Sequence, residues 1–273
     1  MAPSVSSIFV LSLLLIGVFV QTHAKNEQSV TFSYEGSSGP EHWGSMSSKF
    51  ATCSKGKSQS PIDIVKDGAV FGKHLQKLVR RYSSANATLV NNGFNIGVDF
   101  GEKTGGVAVI DEKNYTLRQM HWHSPSEHLL NGERFAAELH LIHKSDDGGL
   151  SVIAILLQDG DSDPLLEKIQ GKLRELTKEK CGSNEEAHIA LGELNLKHLR
   201  KKTRKYYRYI GSFTVPPCTE NVIWTILGKV RTISKKQVEA LKAPLEPPYK
   251  KNARPAQPLN GRKIEIYDEL SEY

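Results

Sequence analysis

Two runs of alternating side chains, Tyr115–His123 and Phe135–Lys144, constrain this chain more than any other feature. On a β-strand successive side chains point to opposite faces, so a residue shares its face with its second neighbour. In the first run that rule groups Gln119, His121 and His123, and in the second it groups Glu138 with His140. If the two runs pair side by side, three imidazoles converge from neighbouring strands. Three neutral nitrogen ligands suit Zn²⁺ and leave a fourth tetrahedral position open, which is the catalytic rather than the structural arrangement. A bare His-x-His is a weak signal, because two polar side chains on a solvated strand face look the same. Its company strengthens it: an amide at Gln119 and a carboxylate at Glu138 stand where ligating imidazoles need partners for their other ring nitrogens. His128 and His143 are ligand types too, but they read as hydrogen-bonded interior or surface histidines.

Strand-like runs recur at Asn95–Phe100, Val107–Asp111, Leu150–Gln158, Tyr206–Thr214, Val222–Val230 and Lys263–Tyr267, separated by Gly, Asn, Asp and Pro. Helices are few. Asp163-Pro164 fills the cap and first-turn positions of one, with Leu165, Leu166, Ile169, Leu173 and Leu176 on a single face. Ser234-Lys235-Lys236-Gln237 is a capping box that opens a second, carrying Val238 and Leu241 inward. With 273 residues and neither a linker nor an internal repeat, the pattern is a mainly β single domain with peripheral helices.

Residues 1–24 carry no charged side chain, and the apolar run Ile8–Val20 is too short for a membrane span. With Thr22-His23-Ala24 as a small-residue cleavage site, 1–24 reads as a secretory signal peptide, and 25–273 as the mature domain. No later segment approaches the roughly 20 apolar residues that a spanning helix needs. The expected destination is extracellular or apoplastic, with plastid and vacuole open through the same route. Asn86-Ala87-Thr88 and Asn114-Tyr115-Thr116 are glycosylation candidates. Three cysteines leave one over: Cys53 and Cys218, beside Gly/Ser/Pro-rich segments, are the expected disulfide, and Cys181, in a polar stretch, the free thiol. The net charge of +6 owes much to Lys197–Lys205, which holds six positive charges in nine residues. That segment is either a solvated basic loop or a contact for a polyanion; no nucleic-acid partner is expected.

Taken together, the residues resemble an α-class carbonic anhydrase of the secreted plant kind, from about Phe32 to about Tyr267. The resemblance rests on six separated motifs in family order. They are Gly39-Pro40-Glu41-His42-Trp43-Gly44, Gln59-Ser60-Pro61-Ile62-Asp63-Ile64, the run from Gln119 to His128, the run from Ala137 to His143, the run from Gly211 to Glu220, and Asn252-Ala253-Arg254-Pro255-Ala256-Gln257-Pro258. It implies a central, twisted, mostly antiparallel sheet of about ten strands, with zinc at the bottom of a conical cleft. It implies His121, His123 and His140 as the ligands, supported by Gln119, Glu138 and the backbone near Asn252, and it makes His128 and His143 structural. The Cys53–Cys218 pairing matches the disulfide of secreted members.

The implied reaction is reversible hydration of CO₂ to bicarbonate and a proton by attack of zinc-bound hydroxide. That hydroxide forms because zinc lowers the pKa of its water to about 7, a value established for carbonic anhydrase itself and not deduced from this chain. Thr214 is implied to accept a hydrogen bond from the nucleophile while donating its own proton to Glu127, which orients the attack. The apolar wall for CO₂ corresponds to Ile142, Val152, Phe213, Val222 and Trp224. Two departures stand out: Val215 follows the relay threonine where active relatives often have a second threonine, and Phe94 occupies the position where fast members carry a proton-shuttling histidine. The other reading in view is an inactive or weakly active storage or binding protein on the same scaffold.

Overall fold

The computed structural model describes residues 31–101, 105–179 and 186–271; the expected signal peptide and Cys181 lie outside the described residues. The two histidine runs form neighbouring strands, Lys113–His123 and Ala137–Lys144, at the middle of a mixed sheet of 13 strands. Its main path contains ten strands, in the spatial order Ala187–Leu194, Ala85–Asn91, Ile96–Asp99, Lys113–His123, Ala137–Lys144, Leu150–Asp159, Glu220–Leu227, Lys205–Ser212, Glu265–Asp268 and Val70–Phe71. Along it only two pairings are parallel, Leu150–Asp159 with Glu220–Leu227 and Glu265–Asp268 with Val70–Phe71. The fold is thus mostly β and mostly antiparallel.

Side-chain alternation sets one apolar cluster on each face of the sheet, and a third, smaller cluster gathers around Trp43 and the Cys53–Cys218 pair. Met120, Trp122, Leu139, Leu141, Ile153 and Ile155 belong to the larger sheet cluster, while Ile142, Val152, Ala154, Val222 and Trp224 belong to the other, on the face of the ligand histidines. Strict alternation would put Tyr115 and Leu117 on the histidine face. Instead both lie in the larger cluster, because the register slips between Ile142 and His143 and leaves Arg118 as the extra residue of a bulge. The slip reverses the faces of everything before Arg118.

The two helices foreseen in the sequence have the expected starts and caps. Helix Pro164–Leu176 starts where the Asp163 carboxylate accepts from the N–H groups of Leu165 and Leu166 at 2.9 and 3.2 Å, and its five apolar residues are all buried. Helix Lys235–Lys242 opens with the Ser234/Gln237 capping box. The Gln237 side chain also accepts from the Asp163 N–H at 2.7 Å and donates to the Asp163 carbonyl at 2.9 Å, so the two helix starts brace each other.

Candidate metal centre

The register sets His140 directly opposite His121, with Glu138 opposite His123 and Ile142 opposite Gln119. Three rings therefore meet on one face, with centroids 4.7 to 5.1 Å apart. His121 keeps 9 % exposure, whereas His123 and His140 are closed off. Each ring has one nitrogen already committed. The Gln119 Oε1 accepts from His121 Nδ1 at 3.0 Å, the Asn252 carbonyl from His123 Nδ1 at 2.6 Å, and Glu138 Oε1 from His140 Nε2 at 2.8 Å.

Because each of those partners is an acceptor, the ring proton sits on the committed nitrogen and the opposite nitrogen carries a bare lone pair. Those bare atoms are His121 Nε2, His123 Nε2 and His140 Nδ1, and they converge. His140 Nδ1 lies 3.3 Å from His121 Nε2, and His123 Nε2 is buried without a hydrogen-bond partner among the described residues. Glu127 adds a fourth acceptor, its Oε2, without a hydrogen-bond partner among the described residues, standing 3.4 Å from His123 Nε2 and 4.0 Å from His140 Nδ1. Acceptors crowded in a buried space repel one another unless a cation lies among them. Burial also keeps all three rings neutral, holding His121 well below its ordinary range, His123 at about 4, and His140 lowered against the opposing pull of Glu138. Neutral imidazoles are what a metal of the zinc type requires.

A second group, His128, Glu138 and His140, also has ligand atoms close together. Its atoms are spent on each other. His128 Nδ1 donates to Glu138 Oε1 at 2.7 Å while its Nε2 accepts from the Tyr209 hydroxyl at 2.7 Å. Glu138 Oε2 accepts from the N–H groups of Glu127 and His128, both at 2.8 Å. Burial alone would raise the Glu138 carboxyl, but the electrostatic pull of the His128 and His140 ring N–H groups and the hydrogen bonds they donate carry it well below the usual carboxylate range. His143 lies on the opposite face, fully buried against the Tyr82 hydroxyl at 2.7 Å, and burial pushes it down to about 3. Both histidines are structural here.

Thr214 is buried just past the end of strand Lys205–Ser212, where Phe213 and Thr214 leave the sheet for a turn. The turn is closed by Phe213 N–H to Thr219 O at 2.9 Å and by Cys218 N–H to Val215 O at 2.8 Å. Glu127 Oε1 accepts from the Arg254 backbone N–H at 2.9 Å. Burial pushes the Glu127 carboxyl up to about 7, opposed by the electrostatic pull of the His140 ring and by a hydrogen bond from the Thr214 side chain. Ile142, Val152, Val222 and Trp224 form one apolar cluster with Phe213 packed on it, and the Trp224 ring lies 4.9 Å from that of His140. Val215 stands apart from this cluster, half-buried in the turn. Phe94 is half-buried, its ring 5.1 Å from Phe32 and its carbonyl accepting from Asn252 Nδ2 at 3.0 Å.

The Cys53–Cys218 disulfide is present and spans 165 residues. On the chain-entropy account, closing so long a loop stabilises the fold by about 5 kcal/mol. The double variant Cys53→Ser/Cys218→Ser is expected to lose stability on that scale in denaturant titrations; an unchanged midpoint would show that the bond contributes nothing.

Sequence reasoning gave no role to Ser60, Tyr209 or the Arg254 side chain. Ser60 Oγ accepts from the Ser212 N–H at 3.0 Å and meets the Tyr209 hydroxyl at 2.8 Å, so a hydrogen-bonded chain runs through His128 and Glu138 to His140. The buried Arg254 guanidinium donates to Gln59 Oε1, the Ser60 carbonyl and the Cys53 carbonyl at 2.8 to 2.9 Å, over the Trp43 ring. The motifs around Gln59 and Asn252 were the available signal, since each contributes partners to this network.

The family model for the eukaryotic-type carbonic anhydrase matches residues 38–268. Alpha carbonic anhydrase 7 of Arabidopsis thaliana is 38 % identical over 97 % of this chain and 97 % of its own. A crystal structure of dioscorin complexed with ascorbate superposes with a TM-score of 0.84 at 38 % identity, covering 89 % of this chain and 100 % of that one. The α-carbonic anhydrase of Thermovibrio ammonificans, solved with the inhibitor sulfanilamide, gives 0.75 at 35 % identity over 86 % of this chain and 99 % of that one. The chain belongs to the α, or eukaryotic-type, carbonic anhydrase family.

Proposed function

We propose that this protein is a zinc enzyme for the reversible hydration of CO₂ to bicarbonate and a proton. The observation that carries the reading is the convergence of three bare imidazole nitrogens, each fixed by an acceptor on the far side of its ring. His121, His123 and His140 would hold the ion, and Gln119, Asn252 and Glu138 would hold the rings. Zinc, when bound, supplies a nucleophile from water near neutral pH. Thr214 would donate a hydroxyl hydrogen bond to Glu127, which leaves its oxygen to accept from the nucleophile and to aim it. The Arg254 N–H fixes Glu127 for that task. Ile142, Val152, Phe213, Val222 and Trp224 offer CO₂ a dry wall, which suits a small apolar substrate that needs few polar contacts.

The test is zinc content of the purified protein followed by stopped-flow CO₂ hydration with and without a sulfonamide. About one zinc per chain and sulfonamide-sensitive turnover are expected. Inactivity after zinc reconstitution would favour the second reading, a storage or small-molecule-binding role, which the likeness to dioscorin solved with ascorbate supports. Thr214→Ala should keep its zinc and slow turnover by about 10²-fold, with Thr214→Ser recovering most of it, since orientation rather than the ion is lost. Zinc loss in Thr214→Ala would contradict this division of labour.

The protein is further proposed to enter the secretory pathway through residues 1–24, with 25–273 as the mature domain. Asn86 and Asn114 are both exposed, as glycan acceptors need to be. Among the described residues no helix is long and apolar enough to cross a membrane.

A further inference from the structure

Strands Leu150–Asp159 and Glu220–Leu227 run in parallel, and their side chains divide between the two faces of the sheet. Val152 and Trp224 face the histidine centre, while Ile155 and Leu227 belong to the core on the opposite face. On that opposite side Ile155 and Leu227 help line a cavity of about 520 Å³. Seven of its lining residues are Lys or Arg, another is His198, and no carboxylate is among the described lining residues.

The basic segment foreseen in the sequence supplies only part of this lining. Lys201, Lys202, Arg204 and Lys205 are joined by Arg80 from strand Val79–Tyr82, by Lys229 from the connection after Leu227, and by Arg231 from the strand Arg231–Ile233 that follows it. Cations from three distant segments thus face one space, which a merely solvated loop does not require. Nearby carboxylates answer only some of them. Glu269 meets Lys202 at 2.7 Å and Arg204 at 3.9 Å, Asp268 meets Lys205 at 3.1 Å, and Asp163 meets Arg231. Lys201 and Lys229 are exposed and have no carboxylate partner among the described residues. Arg80 donates to the Lys201 carbonyl and to Thr203 Oγ1, yet its Nε is buried without a hydrogen-bond partner among the described residues. Converging like charges disfavour the fold unless an anion answers them.

We propose that this cavity binds a compact polyanion, a small molecule carrying two or more phosphate or carboxylate groups. Its volume lies within the range of small-molecule sites and exceeds what a single inorganic ion fills. Guanidinium forks and lysine ammonium groups together suit phosphate and carboxylate oxygens. The site is on the other face of the strands from the histidine centre and does not depend on zinc.

Isothermal titration calorimetry at low salt, with tripolyphosphate and with trigalacturonate as probes, tests this. One-to-one binding is expected for at least one of them, weakening by about tenfold or more when ionic strength rises tenfold. Binding of tripolyphosphate alone identifies the phosphorylated class, binding of trigalacturonate alone the acidic-sugar class, and binding of both a site selected by charge. Lys201→Gln/Lys229→Gln should weaken binding by about tenfold and leave CO₂ hydration and the circular dichroism spectrum unchanged. Lys66→Gln/Lys168→Gln, which removes the same charge from exposed positions outside the cavity, should leave affinity as it was. Two results overturn the proposal: neither probe binding at low salt, or the control pair weakening binding as much as the cavity pair.

Discussion

His121→Ala, His123→Ala and His140→Ala are each expected to lose most of their zinc and nearly all CO₂ hydration. Two imidazoles cannot hold a tetrahedral ion with an open position against dialysis. Each substitution also frees an acceptor on the far side, and for His140 that acceptor is the buried Glu138 carboxylate. His140→Ala should therefore be the least stable of the three. Gln119→Ala keeps all three ligands and removes only the acceptor for His121 Nδ1, so zinc affinity should fall by about 10- to 100-fold. Zinc per chain after dialysis and unfolding temperature with and without added zinc provide readouts besides activity. Ligand variants that hold one zinc each and turn over at the parent rate would remove the assignment.

What the sequence disclosed was whatever a local rule could express. The period of two put His121 beside His123, and Asp163-Pro164 and the Ser234/Gln237 box set two helix starts, because a cap is satisfied within three residues of itself. Two long strands escaped the same reading. Ala85–Asn91 buries Ala85, Ala87, Leu89 and Asn91 in strict alternation, but small and polar inward residues hide the pattern. Ala187–Leu194 is rich in residues that favour helices, lies at the end of the sheet path, and is interrupted by a register shift beside Gly192, whose φ of +67° suits glycine.

The centre itself divides along the same line. Gln119 and Glu138 were legible because each lies two residues from the histidine it holds. The Asn252 carbonyl is 129 residues from His123, and the Arg254 side chain meets Ser60 across 194, so neither link has a local signature. They entered through the resemblance or not at all. The basic cavity shows the converse: Lys197–Lys205 was conspicuous in the sequence, whereas Arg80 and Lys229, which line the same space from distant segments, were not.

CO₂ hydration at low buffer is expected to be limited by proton export, with kcat about 10² to 10⁴-fold below that of an enzyme with an efficient internal shuttle. Each hydration turnover leaves a proton that must depart before the next can begin. The family resemblance implies that Phe94 stands at the shuttle position, and its ring, packed on Phe32, has no group to carry that proton. Imidazole buffers should raise kcat, because a mobile base near pKa 6.5 can take the proton from the site. They should leave kcat/KM for CO₂ nearly unchanged, since that ratio does not contain the export step. Phe94→His should raise kcat at low buffer and reduce the dependence on imidazole, again with little effect on kcat/KM. Two exposed histidines offer the competing route: His42, 3.8 Å from Glu41, and His74, 3.6 Å from Glu265. If either already exports protons, turnover at low buffer will be high, indifferent to imidazole and unaltered in Phe94→His. Stopped-flow kinetics across a buffer series separates the two outcomes, and the second would end the assignment of Phe94 as the limiting position.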